Sequence, residues 1–302
     1  MDFILNRKLK LGISACQFGA NFRYNGKGFN VTSYINRDKN DFSWTPICPE
    51  VMSGMGVPRP SIRLVKGNGF DFWNGEGGIK NREGEDKKLQ MKTASLACLK
   101  TIEDAGIDAF IFMEGSPSCG INRTTLKNRR LGKPPGVFGA LLLNHNIFLI
   151  NSIDLQSPIK WWDWKRRLVS FVWLKEKEIN SLEDLTSIWE MLKYIIYEID
   201  EENALSIEIT IKTSKIHSYQ YIKDSLLNIL RKPSSVEKIK ENLWNSYLDI
   251  KDKNISNNQV IYEPHVLRNM THLKNELTFL EIQSKKNNLF FKSFPILYKP
   301  GR

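Results

Sequence analysis

The chain has 302 residues, 41% of them hydrophobic and 25% charged, with 16 Phe, 9 Tyr and 8 Trp. That length fits about two domains, and that apolar content excludes both a disordered chain and a disulfide miniprotein. Forty-four Lys and Arg against 33 Asp and Glu give +11, a balance that invites an anionic partner without naming one.

The amino terminus offers only Phe3-Ile4-Leu5 before charges resume, too short for a signal-peptide core. No run reaches the ~18 to 20 apolar residues a membrane helix needs. The expectation is a cytoplasmic protein with no membrane contact and no indicated protein partner. Leu9–Ala15 reads as a first strand and Phe42–Ile47 as a second, stopped by Cys48-Pro49. The glycine-rich stretch from Gly67 to Gly84 reads as a flexible loop. In Glu85–Ala105, Met91, Ala94, Cys98, Ile102 and Ala105 recur at helical spacing, and Gly106 supplies the stop. Ala109–Met113 (AFIFM) is a buried strand, followed by the loop Glu114–Gly120. Pro135-Gly136 opens a helix through Leu143, and Ile147–Ile150 is another strand. This rhythm predicts an α/β fold, an open parallel sheet with flanking helices. Ser157-Pro158 marks a seam, giving domains 1–153 and 154–302. Beyond it a mostly helical α+β domain is expected, of unclear role, with substrate recruitment one option. Ser181 caps a helix running to about Glu202, Ile207–Lys212 alternates like a strand, and Ile222–Leu230 and Val236–Ile250 look helical.

The four cysteines, none in a CxxC pair, divide by position. Cys98 lies on the apolar face of its helix and reads as a small core hydrophobe. Cys16, Cys48 and Cys119 instead follow three different strands. In a parallel sheet the carboxyl ends share one edge, where ligands bind. Three converging thiolates suit a soft metal centre, and with no obvious histidine as a fourth ligand one coordination position stays open. A redox dithiol is the competing reading of the same spacing.

Three stretches surround these cysteines in order. They are Gly12-Ile13-Ser14-Ala15-Cys16 with Arg23-Tyr24-Asn25-Gly26, then Pro46-Ile47-Cys48-Pro49-Glu50-Val51 with Gly56-x-Pro58-Arg59-Pro60, then Ser116-Pro117-Ser118-Cys119-Gly120. Together with Gly136-Val137-x-x-Ala140-Leu141-Leu142, they resemble the thiouracil desulfidase (TudS) family over about residues 8 to 152. The resemblance implies a 4Fe-4S cluster held by Cys16, Cys48 and Cys119, whose free iron captures the sulfur of a thiocarbonyl. It implies non-redox desulfuration of a thiolated pyrimidine, thiouracil or 4-thiouridine, the latter in transfer RNA for relatives with an added domain. Glu50 becomes the carboxylate that orients a water and takes its proton, with Ser116 or Ser118 as relay. Without the resemblance, Glu50 reads as a surface carboxylate and the serines as turn formers. Arg23, Tyr24 and Arg59 are candidates for gripping the pyrimidine or a phosphate, and each reads equally as a structural ion pair or a packing residue. Asn25 stands where the family usually has aspartate, and residues 153–302 do not look like the companion domain of the tRNA-acting relatives.

A second class of function competes: a metal- or cluster-containing protein that binds nucleic acid or senses redox state without turnover. Lys160-Trp161-Trp162-Asp163-Trp164-Lys165-Arg166-Arg167 interleaves aromatics with cations as nucleic-acid surfaces do, although helical spacing also allows packing. A second basic run, Arg123, Lys127, Arg129, Arg130 and Lys133, directly follows Cys119. Residues 1–152 carry 21 Lys and Arg against 13 Asp and Glu, +8, and residues 153–302 carry 23 against 20, +3. The excess therefore sits with the three cysteines, where the run after Cys119 reads either as a phosphate-binding rim or as a solvated loop.

Overall fold

The computed structural model describes residues 3–125, 133–213, 218–251, 270–286 and 290–301. The chain divides into two compact bodies, one of residues 8–156 and one of residues 1–7 with 157–302.

A short strand, β1 (Ile4–Leu5), opens the chain and belongs to the second body. The first body begins with β2 (Leu9–Ser14), followed by β3 (Phe42–Ile47), α1 (Pro49–Met52), β4 (Ile62–Val65), α2 (Gly69–Trp73) and β5 (Gly78–Asn81). Next come α3 (Lys88–Asp104), β6 (Ala109–Phe112), α4 (Val137–Asn144) and β7 (Phe148–Asn151). Four strands form one parallel sheet in the order β3-β2-β6-β7, as the strand–helix rhythm predicts. All four residues of β6 are buried, the signature of a strand covered on both faces. Phe110 and Phe138 meet edge to face at 5.5 Å, and Cys98, Leu99 and Ile102 of α3 join the same core. Gly12 is required by this packing, because a Cβ there would stand 2.6 Å from the Phe110 ring.

The stretch from Gly67 to Gly84 is structured, which corrects the flexible-loop expectation. Asn68 and Asp71 form a reciprocal capping box that starts α2, and β4 pairs antiparallel with β5. Its glycines serve close approach: a Cβ at Gly69 would lie 2.2 Å from the Gly136 carbonyl oxygen.

The second body contains α5 (Pro158–Lys175), α6 (Leu182–Ile199), α7 (Glu201–Lys212), α8 (Tyr219–Leu230), α9 (Val236–Lys251) and α10 (Met270–Lys286). Its strand β8 (Leu297–Tyr298) pairs in parallel with β1. Residues 207–212 are helical, not a strand. Asp200 caps α7 by accepting from the Asn203 amide, and Ala204, Ile207 and Ile211 are buried while Ile209 is exposed. The three- and four-residue spacing of burial therefore overrides the apparent alternation. The same residue ends α6, so the expected single helix to Glu202 is broken at Asp200.

The aromatic and basic segment at the start of α5 is core, which decides for the packing reading of its helical spacing over the nucleic-acid-surface one. Trp161, Trp162 and Trp164 are buried, and Arg166 and Arg167 are fully so. Both arginines bind Asp163, Arg166 also binds Glu198, and their guanidinium planes lie over Trp162 and Trp164 at 4.6 and 3.9 Å. Among the described residues no helix is long and apolar enough to cross a membrane.

Candidate functional site

The carboxyl edge of the sheet gathers three loops. Cys16 sits in the tight 3-10 turn Ala15–Gln17 that leaves β2. Cys48 follows β3 and precedes α1, its carbonyl accepting from the Met52 amide at 3.0 Å, with Pro49 at the first helical position. The third loop runs from Met113 to Gly120 after β6. It is docked on the amino-terminal end of α4, whose orphan amides find partners there: Val137 donates to the Pro117 carbonyl (3.0 Å), and Phe138 and Gly139 donate to Ser118 (2.9 and 3.0 Å). The Gly120 amide closes the loop onto the Ser116 carbonyl at 2.9 Å, while the Glu114 carboxylate accepts from the amides of Asn122 and Arg123. A Cβ at Gly120 would stand 2.1 Å from the Arg123 oxygen, so glycine alone fits.

Between these loops lies a cavity of about 410 Å³ lined by Cys16, Cys48 and Cys119. Burial raises all three thiols, Cys48 to about 11 and Cys119 well above the usual range, and the Glu50 carboxylate adds to each rise. Cys98 stays out of the lining. It is buried in α3 with its sulfur 3.1 Å from Met52 Sδ.

Glu50, the second residue of α1, turns its carboxylate into the same cavity. Its Oε1 accepts from Ser118 Oγ at 2.7 Å and Ser116 Oγ at 3.3 Å, and the two hydroxyls stand 2.9 Å apart. Ser116 Oγ also accepts from the amides of Ser118 and Cys119, both at 3.2 Å. Oε2 is engaged by Arg59, which donates through Nε at 3.2 Å and through Nη2.

The span containing these residues can be placed by comparison. Residues 11–154 match the 2-thiouracil desulfurase family. The matched span includes all three lining cysteines, Glu50, Arg59 and both serines. No curated protein matches the chain. Among solved structures, a protein described as the 4Fe-4S-dependent thiouracil desulfidase TudS is similar, at 25% identity and a TM-score of 0.40, with 49% of this chain and 93% of that one covered.

Arg23 and Tyr24, the family-motif candidates for substrate contact, both line the cavity, and Tyr24 is 40% exposed. Arg59 lines it too, but its donors are directed at Glu50 and at the carbonyls of Phe22 (3.0 Å) and Gly56 (3.1 Å), away from the role of gripping a ligand. The structure adds Phe22, Arg63, Met113 and Thr124 to the lining. Met113 was signalled by its place at the end of the AFIFM run. Arg63 had no such signal, since it alternates outward on β4 between buried Ile62 and Leu64. Of the basic run after Cys119, Lys127, Arg129 and Arg130 lie outside the described residues.

The donor set fits an iron–sulfur cluster. Among the described residues no three His, Cys, Asp or Glu side chains close on a point as a single ion requires. A cubane makes a different demand: each cysteine binds a separate iron, so the sulfurs stand around the cluster. Cys16, Cys48 and Cys119 reach one cavity from three different loops and are the soft thiolate donors such a cluster takes.

Proposed function

We propose that the body of residues 8–156 desulfurates a thiolated pyrimidine, with Cys16, Cys48 and Cys119 holding a 4Fe-4S cluster. The observation that carries this reading is the meeting of three cysteines from three strand ends with a serine-held carboxylate in one cavity. A cluster bound by three cysteines supplies a thiophilic Lewis acid at the iron that none of them holds. The protein's own residues account for the rest. Glu50 orients a water against the ring carbon and takes its proton as the C–O bond forms. The Ser116–Ser118 pair, in contact with Oε1, passes that proton to the departing sulfur, and the second proton of the water follows it as the ring carbonyl forms. The C–S bond breaks, sulfur departs as sulfide, and no electron is gained or lost by the ring. Tyr24 and Phe22 form an aromatic wall for the pyrimidine.

Arg23 and Arg63 line the cavity without a carboxylate partner among the described residues, which supports a phosphate on the substrate and hence 4-thiouridine nucleotides or thiolated tRNA beside free thiouracil. In this reading the second body serves recruitment of the larger substrates. The test is anaerobic purification of the full chain, followed by iron analysis and sulfide release from 2-thiouracil, 4-thiouracil and thiolated tRNA. Sulfide release that Glu50→Gln abolishes while the brown chromophore persists is the expected result. A colourless protein carrying zinc after anaerobic reconstitution would sink the cluster assignment. Activity on tRNA that weakens steeply with salt is expected if phosphates are bound, because their counterions must be released.

A further inference from the structure

We propose that Arg59 is a positioning residue for the reaction, one that sets the rotamer of Glu50 and ties it to the aromatic wall of the cavity. The inference rests on the reading of Glu50 as the base. The Arg59 side chain is only 2% exposed and is held from several sides. Its backbone amide donates to the Tyr24 carbonyl at 2.9 Å, and Nη1 donates to the carbonyls of Phe22 and Gly56. Those anchors fix the guanidinium plane before it reaches the carboxylate. Nε and Nη2 then grip one oxygen, Oε2. A glutamate side chain has three rotatable bonds, and gripping one oxygen leaves the other with one place to go. That place is beside Ser118 and Ser116.

The same anchors make Arg59 a brace between the Phe22–Tyr24 wall and the base. A ligand pressed against the wall is thereby held in register with Glu50. Lysine cannot replace this arrangement, because an ammonium lacks the planar fork that serves several acceptors in fixed directions. A buried ion pair is weak evidence for stability, since desolvation offsets much of the attraction, so a geometric role is the better account of it.

The experiment uses the full chain, reconstituted anaerobically, as Arg59→Lys, Arg59→Met, Glu50→Gln and the double variant Glu50→Gln/Arg59→Met. Iron and acid-labile sulfide per chain, kcat and KM on 4-thiouracil, and thermal melts of the cluster-free protein are read. Arg59→Lys is expected to fold, to keep its iron and to hold KM within about twofold, while kcat falls about 10²-fold, the scale set by small misplacements of a catalytic group. Because Glu50→Gln leaves no sulfide release to compare, the coupling of the two residues is read in the melts, where Arg59→Met should lower Tm less when residue 50 is already Gln.

A wild-type kcat in Arg59→Lys overturns the proposal. So does an equal loss of Tm from Arg59→Met in both backgrounds, which would mark Arg59 as support for the loop alone. A wild-type kcat in Glu50→Gln removes the base, and the proposal with it. That failure is distinguishable, since the melt coupling would still show the clamp. If Arg59→Met does not fold, the same cycle is closed with Arg59→Lys and the double variant Glu50→Gln/Arg59→Lys.

Discussion

The close approach of α4 to the Cys119 loop sets the size of what a single methyl group there would cost. Gly136 has φ −69° and ψ 171°, a conformation open to any L-residue, so replacing it by alanine tests space alone. The new Cβ would stand 2.5 Å from the Ser118 carbonyl oxygen and 2.7 Å from that of Pro117. Such contacts are essentially never shorter than 3.0 Å, so loop and helix must part by at least 3.0 − 2.5 = 0.5 Å. Three amide bonds of 3.0, 2.9 and 3.0 Å cross that gap. At about 1 kcal/mol net for each, the cost is about 1 to 3 kcal/mol, the same range as overpacking elsewhere. For a body of this size that lowers Tm by about 3 to 10 °C. Ser116, Ser118 and Cys119 move with the loop, so iron per chain and sulfide release should fall together. Circular dichroism melts of the cluster-free protein and iron analysis are the assays. A Gly136→Ala protein with unchanged Tm and full iron content would show that α4 does not clamp the loop.

Serine at position 16, 48 or 119 should each lower iron per chain and abolish sulfide release. Cys98→Ala should keep both and lose only about 1 kcal/mol in a melt, the cost of a methyl-sized void. In the second body, Arg166→Met should destabilise by about 3 to 5 kcal/mol in urea unfolding, because it orphans the buried Glu198 carboxylate. Burial, the largest single influence, raises that carboxyl, but the charge and hydrogen bonds of Arg166 together with further hydrogen bonds, Asn242 among the donors, leave it below the ordinary value of 4.5. A carboxyl depressed in the folded state stabilises above its unfolded pKa, and the contribution disappears as pH falls through the folded one. Urea midpoints of the second body should therefore hold steady above about pH 5 and decline below 4.5. A midpoint independent of pH in that window would remove Glu198 as an acid-sensitive contact.

Much of the site's composition was legible along the chain, for one physical reason. Parallel strands send their carboxyl ends to one edge, so β2, β3 and β6 carried the positions of Cys16, Cys48 and Cys119 into proximity before any contact was known. Cys98, at helical spacing on α3, could be set apart on the same grounds. Direction of a side chain was not legible. Arg59, which the sequence left equally open as a substrate contact or a structural ion pair, is paired with Glu50, and Arg63, passed over, lines the cavity. Periodicity failed where two patterns overlapped. Ile207, Ile209 and Ile211 alternate as in a strand, and only the burial of Ala204, Ile207 and Ile211 with the Asp200 cap decides for a helix.

The charge shows the same division most plainly. Counting alone located the excess, +8 in residues 1–152 and +3 in the remainder. It could not tell which cations face solvent. Lys160–Arg167 was as basic and aromatic as a nucleic-acid surface, yet Arg166 and Arg167 are neutralised by Asp163 and Glu198 inside a helical core. Arg23 and Arg63 line the cavity without such carboxylate partners among the described residues. Composition fixes how much charge a chain carries. Whether that charge meets an internal carboxylate or an outside anion depends on which faces pack, and packing is settled in three dimensions.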